Sequence, residues 1–109
     1  MAGQEKGAAV VINGREVLRV MAPVGPYSAI ERALEVQRRL EYLGSKEYSR
    51  EVTAQPLRSG EAMVLRVGPV QLMMVTALDA EKAGVTKEVL AARYAEEVER
   101  ALAEYRETH

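Results

Sequence analysis

The sequence predicts an α+β domain with a mostly antiparallel sheet of about five strands and two long helices packed on one face, in the order ββαβββα. Three observations support this fold class: an Asn-Gly pair between two apolar runs, two capping-box patterns that open helical segments, and period-two alternation between those segments. The length of 109 residues is typical of one domain. Residues 9–109 are predicted to form that domain, and the polar residues 1–8 a disordered tail.

The first elements are a hairpin and a helix. Asn13-Gly14 separates two β-rich runs, and this pair favours a type I′ turn because both central residues take positive φ. Residues 23–27 form a Pro- and Gly-containing connector. Ser28 and Glu31 then match a capping box, which predicts a helix over 29–43 with Gly44 as its stop.

Helical spacing assigns two sides to this first helix. The apolar side, expected to be buried, consists of Ile30, Ala33, Leu34, Gln37, Leu40 and Leu43. The charged side, expected to face solvent, consists of Glu31, Arg32, Glu35, Arg38 and Arg39.

The second half of the chain is predicted as strand, hairpin and helix. Residues 50–57 alternate with period two, and Pro56 indicates an edge strand or a strand end. A hairpin follows over 61–76, with Gly68-Pro69 at its turn. A capping box from Thr76 to Asp79 opens a short helical turn that ends at Gly84, and Thr86 caps the final helix over 87–107. The apolar line of that helix is Leu90, Ala91, Tyr94, Val98, Ala101, Leu102 and Tyr105.

Composition argues against most kinds of chemistry. The chain has no cysteine, and its single histidine, His109, is the last residue, so we expect neither thiol chemistry nor specific binding of a divalent metal. A net charge of −1 gives no reason to expect a nucleic acid, and no apolar run is long enough for membrane insertion. Asp79 is explained by its place in a capping box. The sequence therefore predicts no catalytic, cofactor-binding or metal-ligating residue.

One face of the predicted sheet is unusually apolar. If alternate strand residues meet the helices, the opposite face is only half polar, although a solvated sheet face should be mostly polar. This pattern favours a surface for a second copy or another protein, unless the register differs or these residues are scattered singly. The interface candidates are Val17, Arg19, Met21, Val64, Arg66, Met73 and Val75.

Three stretches carry a resemblance to a known family. They are residues 9–18, a Gly-Pro-x-Ser lead into residues 30–33, and a Val-Thr-x-x-Asp-Ala-x-x-Ala-Gly motif over 75–84 followed by Leu90-Ala91. Together they resemble a small exported bacterial domain of unassigned function, which also precedes the membrane part of some mechanosensitive-channel-like proteins. The similarity covers about residues 9–105. It implies an extracytoplasmic location if a leader has been removed, and otherwise a cytoplasmic one, and it brings no catalytic residues.

Two hypotheses of function follow. The first is a non-catalytic binding or assembly module that self-associates through the helix-free sheet face, with a second copy or another protein as its partner. The alternative is a small enzyme of unfamiliar type that uses Glu and Arg side chains near the connector at 23–27. A deep pocket around a buried Glu would favour the enzyme. The heavy use of Glu and Arg is also a composition typical of thermophiles.

Overall fold

A computed structural model describes residues 7–44 and 51–108 of the chain. The predicted α+β class and element order are confirmed, with the short helical turn before the last helix forming a helix of its own. The elements are β1 (Ala8–Ile12), β2 (Arg15–Val20), α1 (Ala29–Gly44), β3 (Val52–Pro56), β4 (Ala62–Val67), β5 (Val70–Thr76), α2 (Ala77–Ala83) and α3 (Lys87–Thr108).

Two predicted boundaries touch residues that the structure does not describe. Most of the predicted tail, residues 1–6, and the start of the predicted third strand at residue 50 lie outside the described residues. Ala8, which was predicted to belong to the tail, is instead the first residue of β1 and pairs with Val20. Pro56 is the last residue of β3, an edge strand, as predicted.

The strands form two small antiparallel sheets, and the prediction of one five-stranded sheet is wrong. β1 pairs with β2, and a separate sheet has the order β3-β4-β5. Turn residues and alternation predict which strands pair in a hairpin, but they do not predict whether two hairpins join edge to edge. Here α1 side chains bind the edges: Gln37 Oε1 accepts the Val11 amide of β1 at 2.9 Å, and Arg39 donates to the Leu72 carbonyl of β5 at 2.9 Å.

Helix α3 binds the remaining strand edges in the same way. The Tyr94 hydroxyl donates to the Arg19 carbonyl of β2, and Glu99 accepts the Val52 amide of β3 at 3.3 Å. Unpaired edge groups are sites where strands of other chains add. Side chains from the two long helices therefore bind a backbone group on each edge strand that the structure describes.

The predicted hairpin turns, the capping boxes and the Gly84 cap are confirmed, whereas Gly44, predicted as the stop after residue 43, is itself the last residue of α1. Asn13 and Gly14 have φ of 55° and 75°, as a type I′ hairpin turn requires. Ser28 and Glu31 exchange both capping-box hydrogen bonds, at 2.8 and 3.1 Å. Gly84 ends α2 in the left-handed conformation. These signals are local, so they do not depend on how the sheets are arranged.

Gly44 is the last residue of α1 and is buried against α3. A Cβ atom at this position would lie 2.5 Å from Cδ1 of Tyr105, too close for any real contact. The position therefore needs glycine because the end of α1 packs directly on the Tyr105 ring.

The two long helices contact each other and both sheets, and one apolar core lies between them. In α3 most of the predicted apolar line is buried: Leu90, Ala91, Tyr94, Val98 and Leu102. In α1 the buried line is Ala29, Ala33, Val36, Leu40 and Leu43. The prediction that Ile30 and Leu34 are buried is wrong, since their exposed fractions are 64% and 51%.

Candidate interaction surface

A groove of about 640 Å³ runs between α1 and β5. One wall is α1 with the connector before it, and the other is the edge of β5. Its lining residues are Val24, Tyr27, Glu31, Arg32, Leu34, Glu35, Val36, Arg38, Arg39, Gln71, Met73 and Met74.

Arg32 fixes the base of this groove. Its guanidinium donates to both carboxylate oxygens of Asp79, at 2.9 and 3.1 Å, and to the carbonyls of Ala22 and Met74, at 2.5 and 2.9 Å. The Arg32 and Asp79 side chains are 11% and 1% exposed. A single buried side chain thus joins the exit of β2, the edge of β5 and the start of α2.

The sequence prediction that Arg32 faces solvent is wrong. Arg32 lies three residues after Ala29 and four before Val36, and both of these are buried, so all three share one side of the helix. The spacing carries this signal. It is hidden in the sequence because Ile30 and Leu34 form a more hydrophobic line beside it.

Asp79 has the capping role predicted for it and a second role that the sequence did not indicate. Its carboxylate accepts the Thr76 amide and hydroxyl, each at 3.0 Å, while Arg32 binds the same carboxylate. Burial, followed by the nearby Asp79 charge, raises the pKa of Tyr94 far above its ordinary value, against a smaller lowering effect of Arg32. Asp79 is bonded to both Arg32 and Thr76, and the buried Tyr94 donates to the Arg19 carbonyl. This arrangement suits a structural cluster rather than an accessible general acid.

Large apolar side chains point to solvent along the outer side of α1, next to the groove. Tyr27 is 60% exposed, and Ile30, Leu34 and Tyr42 are 64%, 51% and 52% exposed. We call these four residues the outer row. Ile30 and Leu34 are four residues apart on α1 and are neighbours on its surface. Tyr27 lies in the connector just before the helix, and Tyr42 lies about two turns beyond Leu34.

The connector holds Tyr27 in a closed turn. The backbones of Val24 and Tyr27 exchange two hydrogen bonds of 2.9 Å, and Gly25 between them has a φ of 55°. Gly68-Pro69 at the β4–β5 turn repeats this pattern, with a φ of 56° at its glycine. Proline fixes the second central residue in both turns. Tyr27 is therefore exposed on a backbone with little freedom.

The charged residues next to the connector are used in local structure. Glu31 accepts the Ser28 amide in the capping box, and Arg32 is bound to Asp79 and two carbonyls. Further along α1, Glu35 pairs with both Arg38 and Arg39, at 3.3 and 3.2 Å. The groove therefore has a mixed-charge rim rather than a cluster of convergent acids and bases.

The predicted interface residues do not form one exposed face. Val64, Met73 and Val75 are buried, with exposed fractions of 4%, 4% and 0%. The remaining four are divided between the two sheets: Val17, Arg19 and Met21 lie on or just after β2, and Arg66 lies on β4. Of these, Arg19 is exposed and the other three are half-buried.

A β-bulge explains the burial of Met73 in β5. Leu65 pairs with Met73, but the next residue of β4, Arg66, pairs with Gln71, so Leu72 is skipped. The extra residue reverses the alternation of β5 relative to β4. Met73 consequently shares the core face with Leu65, whereas simple alternation had assigned them to opposite faces.

Two smaller grooves of about 260 and 430 Å³ lie between β2 and α3. Val17 lines both, and Arg15 pairs with Glu104 at 2.5 Å across the first. Their walls mix acidic and basic residues of the described chain, so neither groove has the charge of one sign that would select a charged ligand.

Comparison with known proteins identifies the family but no activity. The sequence model of one family matches residues 9–105. The chain belongs to DUF8459, a domain of unknown function. The matched residues are the same stretch that carries the resemblance described above. The match and the resemblance agree that the domain belongs to a family of unassigned function. No curated protein and no solved structure matches the DUF8459 chain significantly.

The described part of the DUF8459 chain contains neither a helix suited to span a membrane nor a cluster of metal ligands. None of its helices combines the length and apolarity that a membrane crossing requires. In the same ranges, no group of three or more His, Cys, Asp or Glu side chains is placed to hold a metal ion.

Proposed function

We propose that this DUF8459 domain is a non-catalytic binding or assembly module that self-associates, and that the outer face of α1 makes the contact. The observation that carries the proposal is the outer row: Ile30, Leu34 and Tyr42 on α1 and Tyr27 in the connector before it, each more than half exposed. Several large apolar side chains exposed near one another, with polar residues beside them, are typical of protein interaction sites.

The surroundings of the outer row also favour binding. Aromatic side chains held on rigid backbone contribute most to interfaces, because little conformational freedom is lost when they are covered. Tyr27 meets this description on its closed turn. The groove beside it, of about 640 Å³, offers a concave surface next to the outer row.

The same geometry gives the enzyme hypothesis less support. The Glu and Arg side chains closest to the connector, Glu31 and Arg32, already serve a cap and a buried ion pair. A catalytic acid or base must reach a substrate proton, and Asp79 is fully enclosed.

Analytical ultracentrifugation tests the proposal. The native chain is expected to show a monomer–dimer equilibrium, and Leu34→Glu is expected to shift it to monomer. Val89→Glu is the matched control, because Val89 is an apolar residue of similar exposure, 43%, on α3. A native chain that stays monomeric up to near-millimolar concentration contradicts self-association.

The cellular context is a separate proposal. The resemblance supports a bacterial domain that works outside the cytoplasm, including ahead of a membrane part in channel-like proteins. Accessibility of the native gene product to protease in intact spheroplasts tests this location, and protection equal to that of a cytoplasmic marker contradicts it.

A thermophilic source, favoured by the composition, predicts a Tm above the ~45–65 °C usual for mesophilic domains.

A further inference from the structure

We infer that the partner is a second copy whose α1 packs antiparallel to the first, so that Glu31 of each copy pairs with Arg38 of the other. This inference rests on the proposed self-association and adds its geometry. It concerns the exposed side of α1 between Tyr27 and Tyr42, with Leu34 at the centre.

The exposed side of α1 is self-complementary when its direction is reversed. A two-fold contact places residue i against j and residue j against i. Reversal about the point between Leu34 and Glu35 exchanges Tyr27 with Tyr42 and Glu31 with Arg38. These residues are exposed in the chain. The same reversal sets Leu34 opposite Glu35 of the other copy and one residue away from that copy's Leu34. One two-fold axis would therefore bring the two Leu34 side chains close together, aromatic against aromatic and acid against base.

Charge favours this antiparallel arrangement over a parallel one. Within the chain, Glu35 is shared between Arg38 and Arg39, and Arg39 also donates to a β5 carbonyl. Arg38 keeps a side chain that is 74% exposed. A carboxylate has about four acceptor positions, so Glu31 can bind a partner's arginine while it caps α1. In a parallel pair of α1 helices, Glu31 would face Glu31 and Arg38 would face Arg38. The repulsion between these like charges disfavours the parallel arrangement.

The size of the outer row indicates a weak dimer. From Tyr27 to Tyr42 the helix and its lead span roughly 22 Å at 1.5 Å per residue. One helix face covers less than the ~800 Å² per partner of a standard stable interface. We therefore expect a dissociation constant in the micromolar range or weaker. The two Glu31–Arg38 pairs would favour the antiparallel orientation of the two α1 helices.

Charge reversal tests the pairing. Arg38→Glu alone and Glu31→Arg alone each place two like-charge contacts in the dimer and are expected to weaken it by roughly tenfold or more. The double variant restores both pairs with inverted signs and should dimerise within about threefold of the native chain. Arg100→Glu is the control, because it removes a comparable surface pair with Glu97 on α3. Sedimentation gives the Kd, and circular dichroism confirms the fold of each variant.

A cross-link provides a second measurement that does not depend on the α1 cap. The chain has no cysteine, so Leu34→Cys should form a disulfide dimer on mild oxidation, and Ala92→Cys on the exposed side of α3 should not. A native dimer that resists both charge reversals, or a Leu34→Cys variant that forms no cross-link, overturns the α1 pairing and leaves self-association standing. A native chain without a dimer overturns the proposed function itself.

Discussion

The two long helices of this domain follow their apolar sequence patterns to different extents. In α3 the apolar line predicted from the sequence is the line that packs into the core, with Leu90, Val98 and Leu102 buried. In α1 two large apolar residues of the predicted line, Ile30 and Leu34, face solvent. Arg32, which was predicted to face solvent, has a side chain that is only 11% exposed. Amphipathic spacing therefore predicts the helix but does not by itself tell which side is inside.

The difference follows from what α1 packs against. It lies between an edge of each sheet, where backbone groups need partners. Gln37 reaches β1, and Arg32 and Arg39 reach β5. Turning Ile30 and Leu34 inward would turn these polar side chains away from the edges. Small residues such as Ala29 and Ala33 then suffice for close packing on the core side.

The largest expected effect tests the inner side of α1. Arg32→Met leaves the Asp79 carboxylate buried without its counter-charge, along with two carbonyl groups that lose a donor. Loss of one member of a buried pair typically costs about 3–5 kcal/mol. We expect a fall of that size in the free energy of unfolding measured with urea.

Two further variants show whether the buried charge is responsible. Arg32→Met combined with Asp79→Asn leaves no charge enclosed and should be more stable than Arg32→Met alone. Arg100→Met removes a surface pair and should cost at most about 1 kcal/mol. Equal losses of unfolding free energy for Arg32→Met and Arg100→Met would mean that the bonds of Arg32 to Ala22, Met74 and Asp79 do not hold the two sheets together.

Local signals could be predicted from the sequence, and arrangements between distant segments could not. Asn13-Gly14, the Ser28–Glu31 and Thr76–Asp79 boxes and the α3 line each depend on neighbours in the chain, and the structure confirms them. The split into two sheets depends on edges bound by side chains from far along the sequence. The buried Met73 depends on a bulge that alternation does not reveal.

The candidate surface could not be predicted for the same reason. The surface contains an apolar pair, Ile30 and Leu34, that an amphipathic helix normally buries. Only the burial of Ala29 and Val36 on a different side of α1 shows that this pair is not needed in the core. The sequence did predict that exposed apolar residues would exist. It assigned them to a sheet face whose residues at 64, 73 and 75 are in fact core.

A matched pair of leucines tests the comparison between the helices directly. Leu102 on α3 is 3% exposed and Leu34 on α1 is 51% exposed. Leu102→Ala should lower the free energy of unfolding by about 2–5 kcal/mol, and Leu34→Ala by no more than about 0.5 kcal/mol. Urea unfolding of both at a concentration where the native chain is monomeric gives the answer. Similar losses would place Leu34 in the core.

Gly44→Ala tests the contact between the helix ends. On an exposed helix this change is stabilising, by roughly 0.5–1 kcal/mol, since glycine is a poor helix former. Here the new methyl would meet the Tyr105 ring, and overpacking costs about 1–3 kcal/mol. The sign of the measured change therefore decides between a free and a packed helix end. Gly44→Ala with Tyr105→Ala should recover part of the loss.

The smallest expected effect concerns Tyr94 on α3. Its side chain donates a hydrogen bond to a β2 carbonyl, as Arg39 on α1 does to a β5 carbonyl. Tyr94→Phe removes the hydroxyl that donates to the Arg19 carbonyl, and we expect a loss of about 1 kcal/mol near neutral pH. The pH dependence is more telling, because burial and the Asp79 charge raise the pKa of this phenol. The folded state then holds a proton that the unfolded chain releases above about pH 10.

The sign follows from this difference in bound protons. The Tyr94 contribution is fully present below pH ~10 and is lost as the pH rises from there toward the raised pKa of the folded state. The native chain should therefore lose stability more steeply than Tyr94→Phe above pH ~10, in urea titrations repeated at several alkaline pH values. Absorbance at the phenolate band should also show one tyrosine of the native chain ionising only on unfolding. Parallel alkaline slopes for the two chains would mean that Tyr94 is not enclosed beside Asp79. In that case α3, like α1, would expose part of the apolar line that its sequence pattern assigns to the core.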